Sequence, residues 1–300
     1  KNILSKSTFK KILNFKKKLF HTSDLDKYLK INRFKGKIIN VEHHMSHIAS
    51  SYYNSPFKKS VGLTIDGFGD FCSTQTFLCN DSKIKSLKKV YFPHSLGILY
   101  QSITQFLGFK NYGDEYKVMG LSSYGKPIYS KLIEKTIFKN LNNFKLDLNF
   151  FNHTDKNFNY GFSGSPKQNT ILNNKIENVL NLNKKVGDEF IKTQKDIASS
   201  IQLIFENQLM KICKKIHNLN FSNNLAYAGG CALNSLANKK LFESNLFNKI
   251  YDDNKIDGVY DKGYGDWMEE SNNGKLLEEL GLTSSAGSID YRGAIAGGLE

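Results

Sequence analysis

"SVGLTIDGFGDFCSTQTFLC", residues 60–79, reads as an apolar strand, a glycine-rich turn and a second strand. Its β-branched and aromatic residues favour pleated backbone, and "DGFGD" (66–70) supplies the reversal between them. "KIKSLKKVYF" (83–92) continues the sheet. Much later, "NLAYAGGCALNSLANKKLF" (224–242) runs strand, glycine turn, helix, which is a crossover unit and not a hairpin. Strands first and a strand–glycine–helix crossover afterwards predict a mixed α/β chain.

Working outward, residues 8–20 and 24–31 read as short helices and "GKIINVE" (36–42) as a short apolar strand. From His43, the apolar positions Met45, Ile48, Ala49, Tyr52 and Tyr53 recur at helical spacing until Pro56 ends the segment. Downstream, residues 95–109 form a helix and 111–127 a loop and helix. Residues 145–185 are polar and Asn-rich, a surface excursion or small subdomain. Residues 188–217 carry the longest helical pattern, and no internal repeat is present.

Composition narrows the class. Of the 300 residues, 40% are hydrophobic and 23% charged, as in a soluble globular protein. No apolar run reaches the roughly 18 residues of a membrane span. The basic opening, "KNILSKSTFKKILNFKKKLF", lacks an apolar h-region and a small-residue cleavage site, so the expected location is cytoplasmic. Cys72, Cys79, Cys213 and Cys231 contain no C-x-x-C pair, which fits buried free thiols in a reducing compartment. The formal net charge of +14 is nearly all lysine, with Arg33 and Arg292 the only arginines. Phosphate recognition is better served by arginine forks, so a solvated lysine surface is expected and nucleic acid is not the expected partner. Residues 251–300 hold 11 Asp/Glu against 4 Lys/Arg, and this acidic tail is set apart from residues 1–250.

"VEHHMSHIASSYY" (41–53) packs three histidines into five positions. His43 and His47 lie one turn apart on one helix face, where two neutral imidazoles can hold a divalent ion at about 2.0–2.2 Å. A helix surface is the alternative. A metalloprotease helix would place its general-base Glu directly after the first histidine, and His44 stands there instead, so hydrolase chemistry is disfavoured. Asp66, ending an apolar strand, is either a turn-capping residue or a third ligand, with Gly67 and Gly69 letting backbone come close. In "GDEYKVMGLSSYGKP" (113–127), Asp114, Glu115 and Lys117 stand between glycines, and Lys117 can act as a point-charge phosphate ligand. Gly229 and Gly230 deliver a strand to a helix start, which suits either a phosphate or tight strand–helix packing.

Taken in order, "VEHHMSHIASSYYNSPF", "TIDGFGD", "FPHSLGILYQSITQFLGFKNYGDEYKVMGLSSYGKP" and "YAGGCALNSLANKKL" resemble the carbamoyltransferase family that includes nodulation-factor and antibiotic O-carbamoyltransferases. The resemblance covers roughly residues 30–250. It implies an actin-like ATPase (ribonuclease H-like) α/β fold, similar to the tRNA-threonylcarbamoyl transferase subunit and incomplete at its N-terminus. Members usually begin with a phosphate loop that this chain starts after. Their second domain, which makes carbamoyl-adenylate from carbamoyl phosphate and ATP, is not expected within this sequence.

The resemblance further implies transfer of a carbamoyl group to a hydroxyl of a small-molecule acceptor. A divalent metal, iron, would be held by His43, His47, Asp66 and a last aspartate, with Asp290 in "SIDYRGAIAGGLE" the candidate and Asp266 a weaker one. Lys117 becomes the catalytic cation. Gly67, Gly69, Asp114, Glu115, Gly229, Gly230 and Asn234 become walls of the nucleotide and substrate pocket. A tRNA-threonylcarbamoyl-type transferase and a degenerate, non-catalytic domain are the alternatives.

Overall fold

A computed structural model describes residues 31–37, 39–142, 144–155, 157–158, 160–161, 167–180, 187–252 and 259–260. Helix α1 (His43–Asn54) precedes an antiparallel meander of β1 (Lys59–Gly69), β2 (Cys72–Asn80) and β3 (Lys83–Tyr91). α2 (Leu96–Phe106), α3 (Glu115–Ser122) and α4 (Ser130–Ile137) follow. Two small hairpins, β4 (Phe138–Asn140) with β5 (Lys145–Leu146) and β6 (Tyr160–Gly161) with β7 (Lys167–Gln168), lead to α5 (Lys175–Leu180). The long α6 (Gly187–His217) returns the chain to the sheet. There β8 (Asn224–Ala228), α7 (Ser235–Glu243) and β9 (Lys249–Asp252) form a parallel crossover, with β10 (Val259–Tyr260) antiparallel at the edge. The order across the sheet is β10-β9-β8-β1-β2-β3, and β1 is parallel to β8. The mixed α/β architecture is the one the strand and crossover patterns predict.

The reversal between β1 and β2 is tighter than "DGFGD". Gly69 pairs with Cys72, and Asp70 and Phe71 alone turn the chain, both at positive φ (48° and 63°). A two-residue turn of this hand matches the twist of the flanking strands. Pairing is regular from Lys59–Asn80 to Ile65–Thr74 and resumes at Gly69–Cys72. Asp66, Gly67 and Phe68 therefore stand opposite Ser73 alone. A bulge of this kind bends the strand and re-aims a side chain, and here the side chain is that of Asp66.

Alternation along β1 divides the core between two faces. Val61, Leu63 and Ile65, with Leu225 and Tyr227 of β8, join the large core beneath α2 and α6, where Leu99, Ile103, Ile201 and Phe205 are buried. Each fully buried side chain of this size stabilises the fold by about 1.5–3 kcal/mol. The opposite face is thin: Ile48 and Tyr52 of α1 meet Phe57, Phe77, Cys79 and Ala226. Gly62 leaves room for this packing, since a Cβ would come within 2.7 Å of Ile48 Cδ1.

Three expectations need correction. Residues 36–42 are not a strand: the described residues of this stretch pair with nothing in the sheet, and Ile39 and Val41 are 71% and 57% exposed. An apolar run without a neighbouring edge has no ladder to join. Residues 145–185 are more than a surface excursion, since Phe151, Phe158, Ile171, Leu172, Ile176 and Leu180 are buried in the main core. Their apolar residues are too sparse among asparagines to show a period. Cys231 is half-buried, while Cys72, Cys79 and Cys213 are buried, and all four are free thiols. The helix expected at 8–20, and that at 24–31 apart from Ile31, lie outside the described residues. No helix among the described residues is long and apolar enough to cross a membrane.

Candidate metal centre

Helix α1 begins where two side chains stop its free N–H groups. Glu42 accepts from the Met45 amide at 2.8 Å, and Asp70, at the hairpin tip, accepts from the His43 amide at 2.9 Å. This second bond fastens the start of the helix to the β1–β2 reversal and sets His43 above the bulge. The His43 ring lies directly on Gly69, where a Cβ would sit 2.1 Å from its Cγ.

His43 Nε2 and His47 Nε2 then converge on one oxygen, Asp66 Oδ2, at 2.8 and 3.1 Å, and are 3.1 Å from each other. All three side chains are half-buried. The other carboxylate oxygen, Oδ1, accepts from the Gly67 amide at 2.7 Å, so Oδ2 is the one turned to the histidines. Burial pushes the Asp66 carboxyl up, but the hydrogen bonds from His43, His47 and Gly67 outweigh it and hold the group well below the usual carboxylate range. The same bond to Asp66 raises His43 against the opposing effect of burial.

His44, between them, faces the sheet and is fully buried. Its Nε2 lies 2.9 Å from the Cys72 carbonyl and its Nδ1 2.7 Å from Thr64 Oγ1. A carbonyl can only accept, so Nε2 carries the proton and Nδ1 accepts from the threonine. Burial lowers its pKa and keeps the ring neutral. His44 is thus the pin that fixes the rotation of α1, leaving His43 and His47 to the open side.

The carboxyl ends of the parallel strands β1 and β8 lie together, which brings the glycine turn after β8 onto Asp66. A Cβ on Gly230 would come within 3.0 Å of Asp66 Oδ1. Gly229 is left-handed (φ 97°), and a Cβ there would sit 2.4 Å from the Ile65 carbonyl. From the other side, Ser95 caps α2 by accepting from the Ile98 amide and donates to the Gly67 carbonyl at 2.5 Å. Gly97 lets the same helix lie against the Asp66 backbone.

The structure brings His43, His47, Asp66, Gly67, Gly69, Gly229 and Gly230 together. Glu115 lines a crevice with Thr104, Phe109 and Tyr112, and burial first, then Asp114, raises its carboxyl. Lys117 is paired with Asp114, its Nζ 2.7 Å away, and Asp114 also accepts from the Asn111 amide. Asn234 is engaged inside the protein, capping α7 through the Ala237 amide at 3.0 Å and pairing with Gln202. Asp290 and Asp266 lie outside the described residues. Sequence reasoning did not single out Asp70, Ser95 or Gln202. Ser95, before an apolar helix, carried the signal of an N-cap; a lone glutamine in a long helix carries none.

A divalent ion with ligands at about 2.1 Å and angles near 90° separates neighbouring donor atoms by about 3 Å. The triangle of 2.8, 3.1 and 3.1 Å edges formed by the two imidazoles and the carboxylate fits one such ion, and it is the one group of this kind among the described residues. The sequence also matches, over residues 1–254, the family described as Carbamoyltransferase N-terminus. The chain belongs to this family. Among its relatives, an uncharacterized protein of Synechocystis is 32% identical over 209 residues, 69% of this chain and 32% of that protein. Nodulation protein NolNO of Sinorhizobium fredii is 30% identical over 70% of this chain and 28% of its own length. Nodulation protein NolO of Bradyrhizobium diazoefficiens is 29% identical over 69% and 34%. The matched region spans about a third of these relatives.

Proposed function

We propose that the chain is the acceptor-side domain of an O-carbamoyltransferase, passing a carbamoyl group from carbamoyl-adenylate to a hydroxyl of a small molecule. The observation that carries this reading is the convergence of His43, His47 and Asp66 beside a glycine turn, within a sequence that matches the carbamoyltransferase N-terminus over residues 1–254. The sheet order supports an actin-like ATPase fold: three antiparallel strands, then two parallel strands added on the far side of β1. Carbamoyl phosphate and ATP would be converted by an adenylate-forming domain on another polypeptide segment.

His43, His47 and Asp66 would hold a divalent metal, iron in our reading, with an aspartate of the tail such as Asp290 as a further ligand. Such an ion supplies Lewis-acid polarisation of a carbonyl or phosphoryl oxygen. In the transfer, the acceptor hydroxyl oxygen bonds to the carbamoyl carbon and the bond from that carbon to the adenylate phosphate oxygen breaks. AMP leaves and the hydroxyl proton is released. Gly229 and Gly230 let backbone approach the adenylate closely, and the amide of Gly67 keeps Asp66 turned. Glu115 lines the substrate pocket, Asn234 supports the glycine turn through its cap on α7, and Lys117 adds positive charge through a side chain anchored on Asp114. The partner is a small hydroxyl compound and not nucleic acid, in a cytoplasmic setting.

Metal content of the purified chain, beside a His43→Ala/His47→Ala variant, tests the centre. About one ion per chain, lost in the variant, is expected; no metal in either overturns the assignment. Supplying carbamoyl-adenylate and a panel of hydroxyl compounds, with mass spectrometry of the products, tests transfer. Carbamoylation of tRNA alone would replace the small-molecule reading.

A further inference from the structure

A polar chain, buried at Tyr100 and Gln202, runs behind the site without touching it. The Tyr100 hydroxyl on α2 donates to Gln202 Oε1 at 2.9 Å, and the Asn234 side-chain amide donates to the same oxygen at 2.9 Å. Gln202 Nε2 donates to Asn234 Oδ1 at 3.0 Å and to Glu206 Oε1 at 2.8 Å. Lys240 on α7 closes the chain on Glu206 at 3.0 Å. Gln202 is 4% exposed, and all four of its hydrogen-bonding positions are filled.

The chain ends on one short piece of backbone. Asn234 terminates the 3₁₀ turn Gly230–Leu233 and opens α7, so its side chain fixes where that turn stops. The other end of the turn, Gly229, is wedged against the Ile65 carbonyl. Between these anchors Gly230 lies against Asp66 Oδ1. The approach of the turn to Asp66 is therefore set from both ends, and the distal anchor is a glutamine on α6.

We infer that Gln202 is a positioning residue of the metal centre, acting through Asn234 and the Gly229–Leu233 turn to hold Asp66 Oδ2 toward His43 and His47. The inference rests on the metal reading of these three residues. It also reassigns Asn234 from substrate contact to support of the turn. The amide orientation is fixed by its outer partners: Tyr100 can donate to Oε1, and Glu206 can accept from Nε2. Burial raises the Tyr100 phenol and keeps it a donor. A partner hydrogen-bonded directly to a ligand accounts for about 10–100-fold in metal affinity, and Gln202, one step further out, is expected at the lower end of that range.

The test is Co(II) titration of the whole chain, read by ligand-field absorption, for the parent, Gln202→Met and Tyr100→Phe. Gln202→Met keeps volume and removes every hydrogen bond; Tyr100→Phe keeps the packed ring and frees one side of the amide. The expected result is about tenfold weaker binding and an altered absorption envelope in Gln202→Met, with a smaller change of the same kind in Tyr100→Phe. Parent-like affinity and spectrum in a folded Gln202→Met overturn the inference. If Gln202→Met does not fold, parent-like values in Tyr100→Phe overturn it. Absence of Co(II) binding by the parent overturns the metal reading itself, which separates the two failures.

Discussion

Gly69→Ala is the most pointed perturbation of the centre. The added methyl would lie 2.1 Å from His43 Cγ, 2.2 Å from Cδ2 and 2.5 Å from Nδ1, where ordinary contact begins at 3.4 Å. The ring must retreat by about 1.3 Å or the hairpin must open, whereas ligand atoms tolerate about 0.2 Å. Retreat along the helix is blocked, because the His43 amide is held by Asp70 at 2.9 Å. The expected cost in stability is about 1–3 kcal/mol, that of overpacking. The expected loss in metal affinity is tenfold to 100-fold or more, since a ligand itself is displaced. The assay is Co(II) titration with chelator competition, beside thermal melting. Gly67→Ala is the control, since nothing lies within 4 Å of a Cβ there. A folded Gly69→Ala that binds as the parent does would refute the placement of His43 in the centre.

Other expectations follow from the same geometry. His47→Ala should weaken metal binding by more than about 100-fold, beyond what loss of an outer-shell partner costs, and full occupancy by elemental analysis would contradict the ligand set. Gly229→Ala combines a left-handed residue with a methyl 2.4 Å from a carbonyl, and should lower unfolding free energy by about 2 kcal/mol or more in a denaturant titration. His153, fully buried between Phe92 and Phe151 and 3.0 Å from the Pro93 carbonyl, is pushed down to about 4 by burial. The unfolded chain takes up this proton near 6.5, so stability is intact above that pH and falls as pH drops toward 4, by about 3 kcal/mol from this group. His153→Gln should flatten that slope relative to the parent, and an unchanged slope would show that the group does not carry it.

The sheet was legible because its information is local. The strand–turn–strand pattern of residues 60–79 and the strand–glycine–helix pattern of 224–242 each state their own structure, whereas the parallel pairing of β1 with β8 joins distant segments and only the fold shows it. His43 and His47 were legible for the same reason, since helical spacing alone puts them on one face. Asp66 could be read only as an even choice, because a bulge depends on how β1 meets β2 and leaves no mark on β1 itself. The strand expected at 36–42 failed for want of a neighbour, which no short apolar run can announce. Asn234 and Lys117 have polar side chains fit for a ligand, and their residue types alone could not show that Gln202 and the Ala237 amide engage the one and Asp114 the other.

The two faces of the sheet are unequally upholstered, and the centre straddles the difference. Asp66 belongs to a strand anchored in the large core, while His43 and His47 ride on α1, whose own hydrophobic footing is a handful of side chains around Ile48 and Tyr52. Local opening of that one helix would scatter the two imidazoles and leave the rest of the domain standing. Whatever loosens that one helix on its small footing therefore acts first on the geometry of the two imidazoles.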